Sequence, residues 1–103
     1  MINIRSILKL KDNDGMTLKA GKPICYKSGW QVATIGAQTT SPTIAMYFVK
    51  KFGGNCGVWF SKGVYYVDVS HRVATNREAM EIGKACHQLT ILRWRDMAII
   101  EVA

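Results

Sequence analysis

The sequence predicts an α+β domain in which a mainly antiparallel sheet carries two helices on one face, in the chain order ββ-α-ββ-α-ββ. Composition gives the first indication, because 103 residues that are 49% hydrophobic can bury one core and form a single domain over residues 1–103. Two helix-start signals, at Ser41 and Thr75, give the second. The third is a set of short β-branched and aromatic runs separated by glycine turns.

The two helix starts lie 34 residues apart, and the same offset predicts an internal repeat. Without a gap it aligns three pairs of segments: Tyr26-Lys27-Ser28-Gly29 with Phe60-Ser61-Lys62-Gly63, Ala45-Met46 with Ala79-Met80, and Val58-Trp59-Phe60 with Leu92-Arg93-Trp94. Each copy then consists of a strand, a tight turn, a strand and a helix. We predict repeat units at about residues 22–55 and 56–90, followed by a partial third hairpin over 89–103.

The first twenty residues allow two local structures. Ile4 and Leu8 have the spacing of one helical face, whereas residues 7–11 are equally compatible with a strand. Polar residues and a glycine then predict a turn before residue 16. We expect residues 17–20 to pair with a strand over residues 23–26, the first strand of the first repeat copy.

Both helices have recognisable starts. The first is expected over residues 43–52, where Ser41-Pro42 supplies the N-cap and first position and Gly53-Gly54 ends the helix. It is apolar almost all round, which predicts a central, buried helix. The second begins with the capping box Thr75-Asn76-Arg77-Glu78. Its apolar stripe consists of Ala79, Ile82, Gly83 and Cys86. Most of these residues are small, which allows the helix to approach the sheet closely.

The hairpin of the second copy can be given a register. Gly63 accepts the positive φ that a tight turn requires. A two-residue loop at Lys62-Gly63 places Asp68 outside the core, whereas a three-residue loop would bury it, so we expect the first. The predicted core face then carries Val58, Phe60, Tyr65, Val67 and Val69. The predicted outer face carries Trp59, Ser61, Val64, Tyr66 and Asp68.

The repeat extends this outer face to the other hairpins, adding Trp30 and Val32 from the first and Arg93 and Arg95 from the last. Aromatic rings interleaved with arginine on an open sheet suit stacked nucleic-acid bases and are also typical of protein-interface hot spots. A third interpretation is that the N-terminal segment covers this face and turns Trp30 and Trp59 into a second small core. The candidate binding residues are Trp30, Trp59, Tyr66, Arg93, Arg95, Lys27 and Lys62.

Charge and cysteine content narrow the class of protein. Fourteen Lys and Arg against seven Asp and Glu give a net charge of +7, which favours an anionic partner and argues against a DNA mimic. The three cysteines, Cys25, Cys56 and Cys86, are an odd number without a CxxC pair, so we expect reduced thiols acting as small core residues. The sequence has neither a signal-peptide pattern nor a membrane span, and we expect a cytoplasmic protein without a membrane partner.

Residues for catalysis are scarce. Cys86 and His87 are neighbours on a predicted helix and point about 100° apart, so they do not form a nucleophile–base pair. His71 has no implied partner for acid–base chemistry, and the few carboxylates are scattered along the chain. We therefore expect no enzyme, and no catalytic, cofactor-binding or metal-binding residue.

The C-terminal half resembles a pattern in small phage and prophage proteins. The pattern is a hairpin, here residues 57–68, followed by a helix with Ala79-Met80-Glu81-Ile82-Gly83-Lys84 and then by Gln88-Leu89-Thr90-Ile91. Some small phage proteins of this size inhibit host defence, anti-CRISPR proteins among them. The resemblance implies a non-enzymatic protein that binds a host protein or nucleoprotein complex in the host cytoplasm.

Two other functions stay open at the level of sequence. The first is direct nucleic-acid binding through four basic residues, Lys27, Lys62, Arg93 and Arg95. The second is an enzyme of unknown class. We also expect the sheet face to be able to form a homodimer with a second copy of the chain.

Overall fold

The structure, a computed structural model, describes residues 3–53 and 55–102. These residues form α1 (Ile4–Leu8), β1 (Asp14–Lys19), β2 (Lys22–Ile24), β3 (Trp30–Thr39), α2 (Pro42–Phe52), β4 (Asn55–Ser61), β5 (Val64–Val73), α3 (Asn76–Ala85), β6 (Thr90–Arg93) and β7 (Ala98–Glu101). The strands form one antiparallel sheet in the order β2-β1-β4-β5-β3-β6-β7. The predicted α+β class is confirmed, with a third helix in addition to the two expected.

The chain divides into two compact units, to both of which β3 and β5 contribute. Among the described residues, unit 1 comprises those up to Ile24 together with Gly36–Val69, and unit 2 comprises Cys25–Ile35 and those from Ser70 onward. No helix in the described part of the chain is long and apolar enough to cross a membrane.

The core of unit 1 lies between α1, α2 and one face of β1, β4 and β5. Its buried residues are Ile7, Leu18, Ala45, Met46, Val49, Cys56, Val58, Tyr65 and Val67. The expectation that α2 is buried all round is wrong, because Ile44 and Tyr47 on its outer side are exposed. A helix that covers one face of a sheet buries only the stripe that points at the sheet.

The N-terminal segment forms α1, so the helical alternative is correct. The Asn3 side chain caps this helix by accepting hydrogen bonds from the Arg5 and Ser6 N–H groups at 3.0 and 3.3 Å. Ile7 is fully buried in the core beside α2. The segment therefore packs on the helical side of unit 1, and the interpretation that it covers Trp59 on the other side is wrong.

The hairpin of β4 and β5 has the predicted register. Ser61 lies opposite Val64 across the two-residue loop. Lys62 and Gly63 have φ angles of 50° and 79°, as in the type I′ turn that matches the twist of a hairpin. Asp12 holds the unusual backbone of Lys62 in place by accepting a hydrogen bond from its N–H at 2.7 Å.

The core of unit 2 forms where α3 packs on strand residues of the same unit. Val32, Ala79 and Ile91 are buried at its centre. Thr75 caps α3 as predicted, because its hydroxyl accepts a hydrogen bond from the Glu78 N–H at 3.2 Å. At Gly83 the helix lies close to Val102, because an added Cβ would be 3.0 Å from a Val102 methyl group.

The predicted repeat does not extend to the first hairpin. β2 pairs with β1, with Leu18 opposite Pro23, and it is not a neighbour of β3 in the sheet. The chain order is therefore α-βββ-α-ββ-α-ββ instead of ββ-α-ββ-α-ββ. The expected pairing of residues 17–20 with the next strand is confirmed as β1 with β2, and β4 with β5 and β6 with β7 also form hairpins at the expected places. The 34-residue offset does hold for the helix caps Ser41 and Thr75.

Candidate binding surfaces

The side of β2, β1, β4 and β5 that points away from the core of unit 1 is called here the open face. Trp59 on β4 lies opposite Tyr66 on β5, and their ring centroids are 5.4 Å apart at a tilt of 32°. On the other side Trp59 lies opposite Gly15 of β1, which has no side chain to cover the indole. Trp59 is consequently 48% exposed, and the prediction that this aromatic pair lies outside the core is confirmed.

Polar groups share the open face with the aromatic pair. The strand registers place Thr17, Lys19 and Lys22 on the open face, with both lysines exposed. At Gly57 an added Cβ would lie 2.7 Å from an Asp68 carboxylate oxygen, so the absence of a side chain makes room for that carboxylate. The open face therefore combines an exposed aromatic centre with two ammonium groups and a carboxylate.

The cysteine thiols do not behave alike. Cys56 is buried on the core side of β4, and burial together with the nearby Asp68 charge raises the pKa of its thiol to about 12. At neutral pH this thiol is protonated and a poor nucleophile. Cys86 is partly buried, but Cys25 is exposed, so the expectation of three core thiols is wrong for Cys25.

Trp30 and Arg93 do not lie where the repeat places them. They are opposite each other in the pairing of β3 with β6, so their side chains leave the sheet on the same side. Trp30 packs against the cluster of Val32, Ala79 and Ile91, which is the side that α3 covers. The predicted outer-face position is therefore wrong for Trp30, Val32 and Arg93. The repeat had applied the inward and outward alternation of side chains in β4 and β5 to β3 and β6. Those strands have different neighbours in the sheet, so their faces are covered differently.

Arg93 is also engaged within the chain. Its Nε and Nη2 groups donate to the two carboxylate oxygens of Asp96 at 3.0 and 2.8 Å. This charge-assisted pair lowers the pKa of Asp96 to about 2 and raises the pKa of Arg93. The Ala98 N–H donates to the same carboxylate at 3.3 Å, so Arg93 and Asp96 stabilise the turn between β6 and β7.

The other three predicted cations are exposed: Lys62 in the hairpin turn of unit 1, and Lys27 and Arg95 in loops of unit 2. The structure thus brings together Trp59 and Tyr66, with Lys62 in the turn of the same hairpin. Their role in binding stays a prediction, as does that of the predicted residues in unit 2.

Unit 2 contains a polar second core that sequence reasoning missed. Trp94 is 4% exposed and donates its indole N–H to the Gln31 side-chain oxygen at 3.1 Å. The Gln31 amide nitrogen donates to the buried Ser70 hydroxyl at 3.0 Å. Tyr26 contacts Trp94 edge to face at 5.4 Å, and the Arg72 guanidinium lies 5.4 Å from the Tyr26 ring. The expected second core of Trp30 and Trp59 under the N-terminal segment is therefore wrong, and the second core that exists is built around Trp94.

The outer surface of α1 and α2 is basic and partly apolar. Neither helix contains an acidic residue, and the exposed basic residues on or next to them are Arg5, Lys9, Lys50 and Lys51. The Lys51 ammonium lies 6.0 Å from the exposed Tyr47 ring. Unit 1 has eight Lys and Arg against three Asp, which is +5 of the total +7. A sequence signal for this surface does exist, because residues 15–67 contain six lysines and no acidic residue.

The chain matches no protein-family model, no curated protein and no solved structure. Within residues 3–53 and 55–102, no group of three or more His, Cys, Asp or Glu side chains is arranged to hold a metal ion.

Proposed function

We propose that the protein is a non-enzymatic binding protein of phage or prophage type that engages a host protein through the open face of unit 1. The observation that carries this proposal is the half-exposed Trp59, in contact with the Tyr66 ring on a surface of paired strands. Trp and Tyr dominate the energetics of protein interfaces because they bring large contact areas at a low cost in side-chain entropy. The likeness of the C-terminal half to small phage proteins supports a host partner.

The surroundings of the aromatic pair support a protein partner. Lys19 and Lys22 supply positive charge toward one end of the face that carries the aromatic pair. Interfaces commonly have such an apolar or aromatic centre with a polar rim.

Trp59→Ala is expected to weaken partner binding strongly while the domain stays folded. Loss of the cross-strand aromatic contact should lower the free energy of unfolding by about 1 kcal/mol. Loss of an aromatic hot spot should weaken binding by about 30-fold or more, equivalent to 2 kcal/mol. The partner is first identified by mass spectrometry of a host-lysate pull-down, and its affinity for purified wild type and variant is then measured by calorimetry.

Two variants serve as controls for this experiment. Tyr47→Ala removes an exposed aromatic ring from the helical surface of the same unit and should leave the affinity unchanged. Phe60→Ala removes the neighbouring ring that faces the core, where it lies 4.5 Å from Tyr65, and should destabilise the domain strongly. The proposal fails if Trp59→Ala keeps wild-type affinity or unfolds the protein as much as Phe60→Ala does.

A second candidate function, nucleic-acid binding, is favoured by the basic surface of α1 and α2. We expect Lys50→Gln combined with Lys51→Gln to reduce the slope of log affinity against log salt by about 2. Each change removes one lysine–phosphate contact, and each contact contributes about 1 to the slope. Binding of short DNA and RNA duplexes is measured by fluorescence anisotropy over a salt series. Lys84→Gln on α3, a helix that also carries acidic residues, is the control. An unchanged slope excludes this surface as the binding site, and no binding by wild type at low salt excludes the function.

A further inference from the structure

The two strands that end the sheet differ in how well their free edges are protected. β2 has three residues and includes Lys22 and Pro23, and short edge strands with lysine and proline resist pairing with other chains. β7 is the strand at the opposite end, and no described strand lies beyond it. Its sequence, Ala98–Glu101, contains neither lysine nor proline. β7 is also short, with four residues, but it lacks the lysine and the proline that protect β2.

The pairing of β6 with β7 determines which backbone groups point outward. The Val102 N–H donates to the Leu89 carbonyl at 2.9 Å, which makes these two residues a hydrogen-bonded pair of the antiparallel ladder. Such pairs alternate along a ladder, so Ile100 also directs its N–H and C=O toward β6. Ile99 and Glu101 consequently direct theirs toward the free edge. Two N–H and two C=O groups are thus available to another strand.

The side chains at this edge are also apolar and uncovered. Ile99 is 66% exposed, and Met97 in the preceding turn is 53% exposed. Leu89, next to the other end of β7, is exposed as well. Outward-pointing backbone groups beside exposed apolar side chains are the features that permit addition of a strand.

We propose that β7 pairs antiparallel with β7 of a second copy of this chain, about a two-fold axis at Ile99. In that register the two Ile99 residues exchange both of their outward backbone hydrogen bonds, and their exposed side chains meet. Glu101 of each copy then lies opposite Met97 of the other, in the turn that carries the exposed Arg95. The two carboxylates are therefore at opposite ends of the contact, each near an arginine of the other copy.

A second copy fits this edge because a two-fold contact requires only one self-complementary patch. A four-residue strand pair lies at the small end of specific interfaces, so the dimer should be in measurable equilibrium with the monomer. The contact uses other residues than the open face, and it does not depend on the proposed function. It also assigns the homodimer to a strand edge, whereas the sequence had suggested a sheet face.

Sedimentation velocity over a range of micromolar concentrations tests this dimer. Wild type should shift from monomer to dimer as its concentration rises. Ile99→Pro should be monomeric throughout and keep the wild-type thermal midpoint, because it removes an outward N–H that β6 does not use. Ile99→Lys should also be monomeric, because it places like charges opposite each other at the two-fold axis. Ile35→Lys, a change of an exposed apolar residue on β3, should dimerise like wild type.

Hydrogen exchange supplies a readout that a general loss of stability would not produce. The Ile99 and Glu101 amides should become protected as the concentration rises, whereas the Ile100 and Val102 amides should be protected at every concentration. A monomeric wild type at the highest concentration overturns the proposal. Dimerisation of both Ile99 variants, assemblies larger than a dimer, or exchange at Ile99 that does not depend on concentration would overturn it equally.

Discussion

Trp94→Ala should lower the free energy of unfolding by about 3–5 kcal/mol, although Trp94 lies in a turn and not in a strand or helix. The indole is almost fully buried and contacts the edge of Tyr26. Its removal would leave a cavity and deprive the buried Gln31 side-chain oxygen of its hydrogen-bond donor. Urea denaturation followed by circular dichroism measures the effect.

Trp94→Phe separates the two contributions. Phenylalanine fills most of the space but has no N–H, so the Gln31 oxygen loses its donor, at a cost of about 1–3 kcal/mol. Trp59→Phe on the open face is the matched control and should change stability by about 0.5 kcal/mol or less, because water can reach the site. Equal effects of the two Trp→Phe changes would mean that the polar second core does not stabilise unit 2.

Ile7→Ala should lower the free energy of unfolding by about 2–5 kcal/mol and release α1 from unit 1. A five-residue helix is not stable by itself in water, so α1 depends on burying Ile7 beside α2 and on its Asn3 cap. Thermal unfolding by calorimetry measures the loss, and faster hydrogen exchange over residues 5–9 reports the release of the helix.

Leu8→Ala is the matched control for this change. Leu8 is the next residue of the same helix but points into water, and its loss should change the free energy of unfolding by about 0.5 kcal/mol or less. If both variants are destabilised alike, the burial of Ile7 is not what holds α1 in place, since alanine is a better helix former than either residue. If neither is destabilised, α1 contributes nothing to the core of unit 1.

Interactions between residues close in sequence were predictable without the fold. Ser41 and Thr75 cap helices because a hydroxyl accepts a hydrogen bond from an N–H only three residues later. The register of β4 and β5 followed from a two-residue loop and from the cost of burying Asp68. That register alone placed Trp59 and Tyr66 outside the core, so the centre of the proposed site was predictable from sequence.

The tertiary structure decided the features that depend on distant residues. Ile4–Leu8 had two local alternatives of similar merit, and burial of Ile7 against α2, more than thirty residues away, selected the helix. Trp30 faces α3 because β3 pairs with β6, about sixty residues along the chain, and not with β2. The choice of a strand's neighbours reflects loop closure and the packing of whole faces, which no local pattern contains. The sequence by itself determined turns, caps and one hairpin register, whereas strand order, and with it the buried Trp94 and the free edge of β7, arose only from tertiary packing.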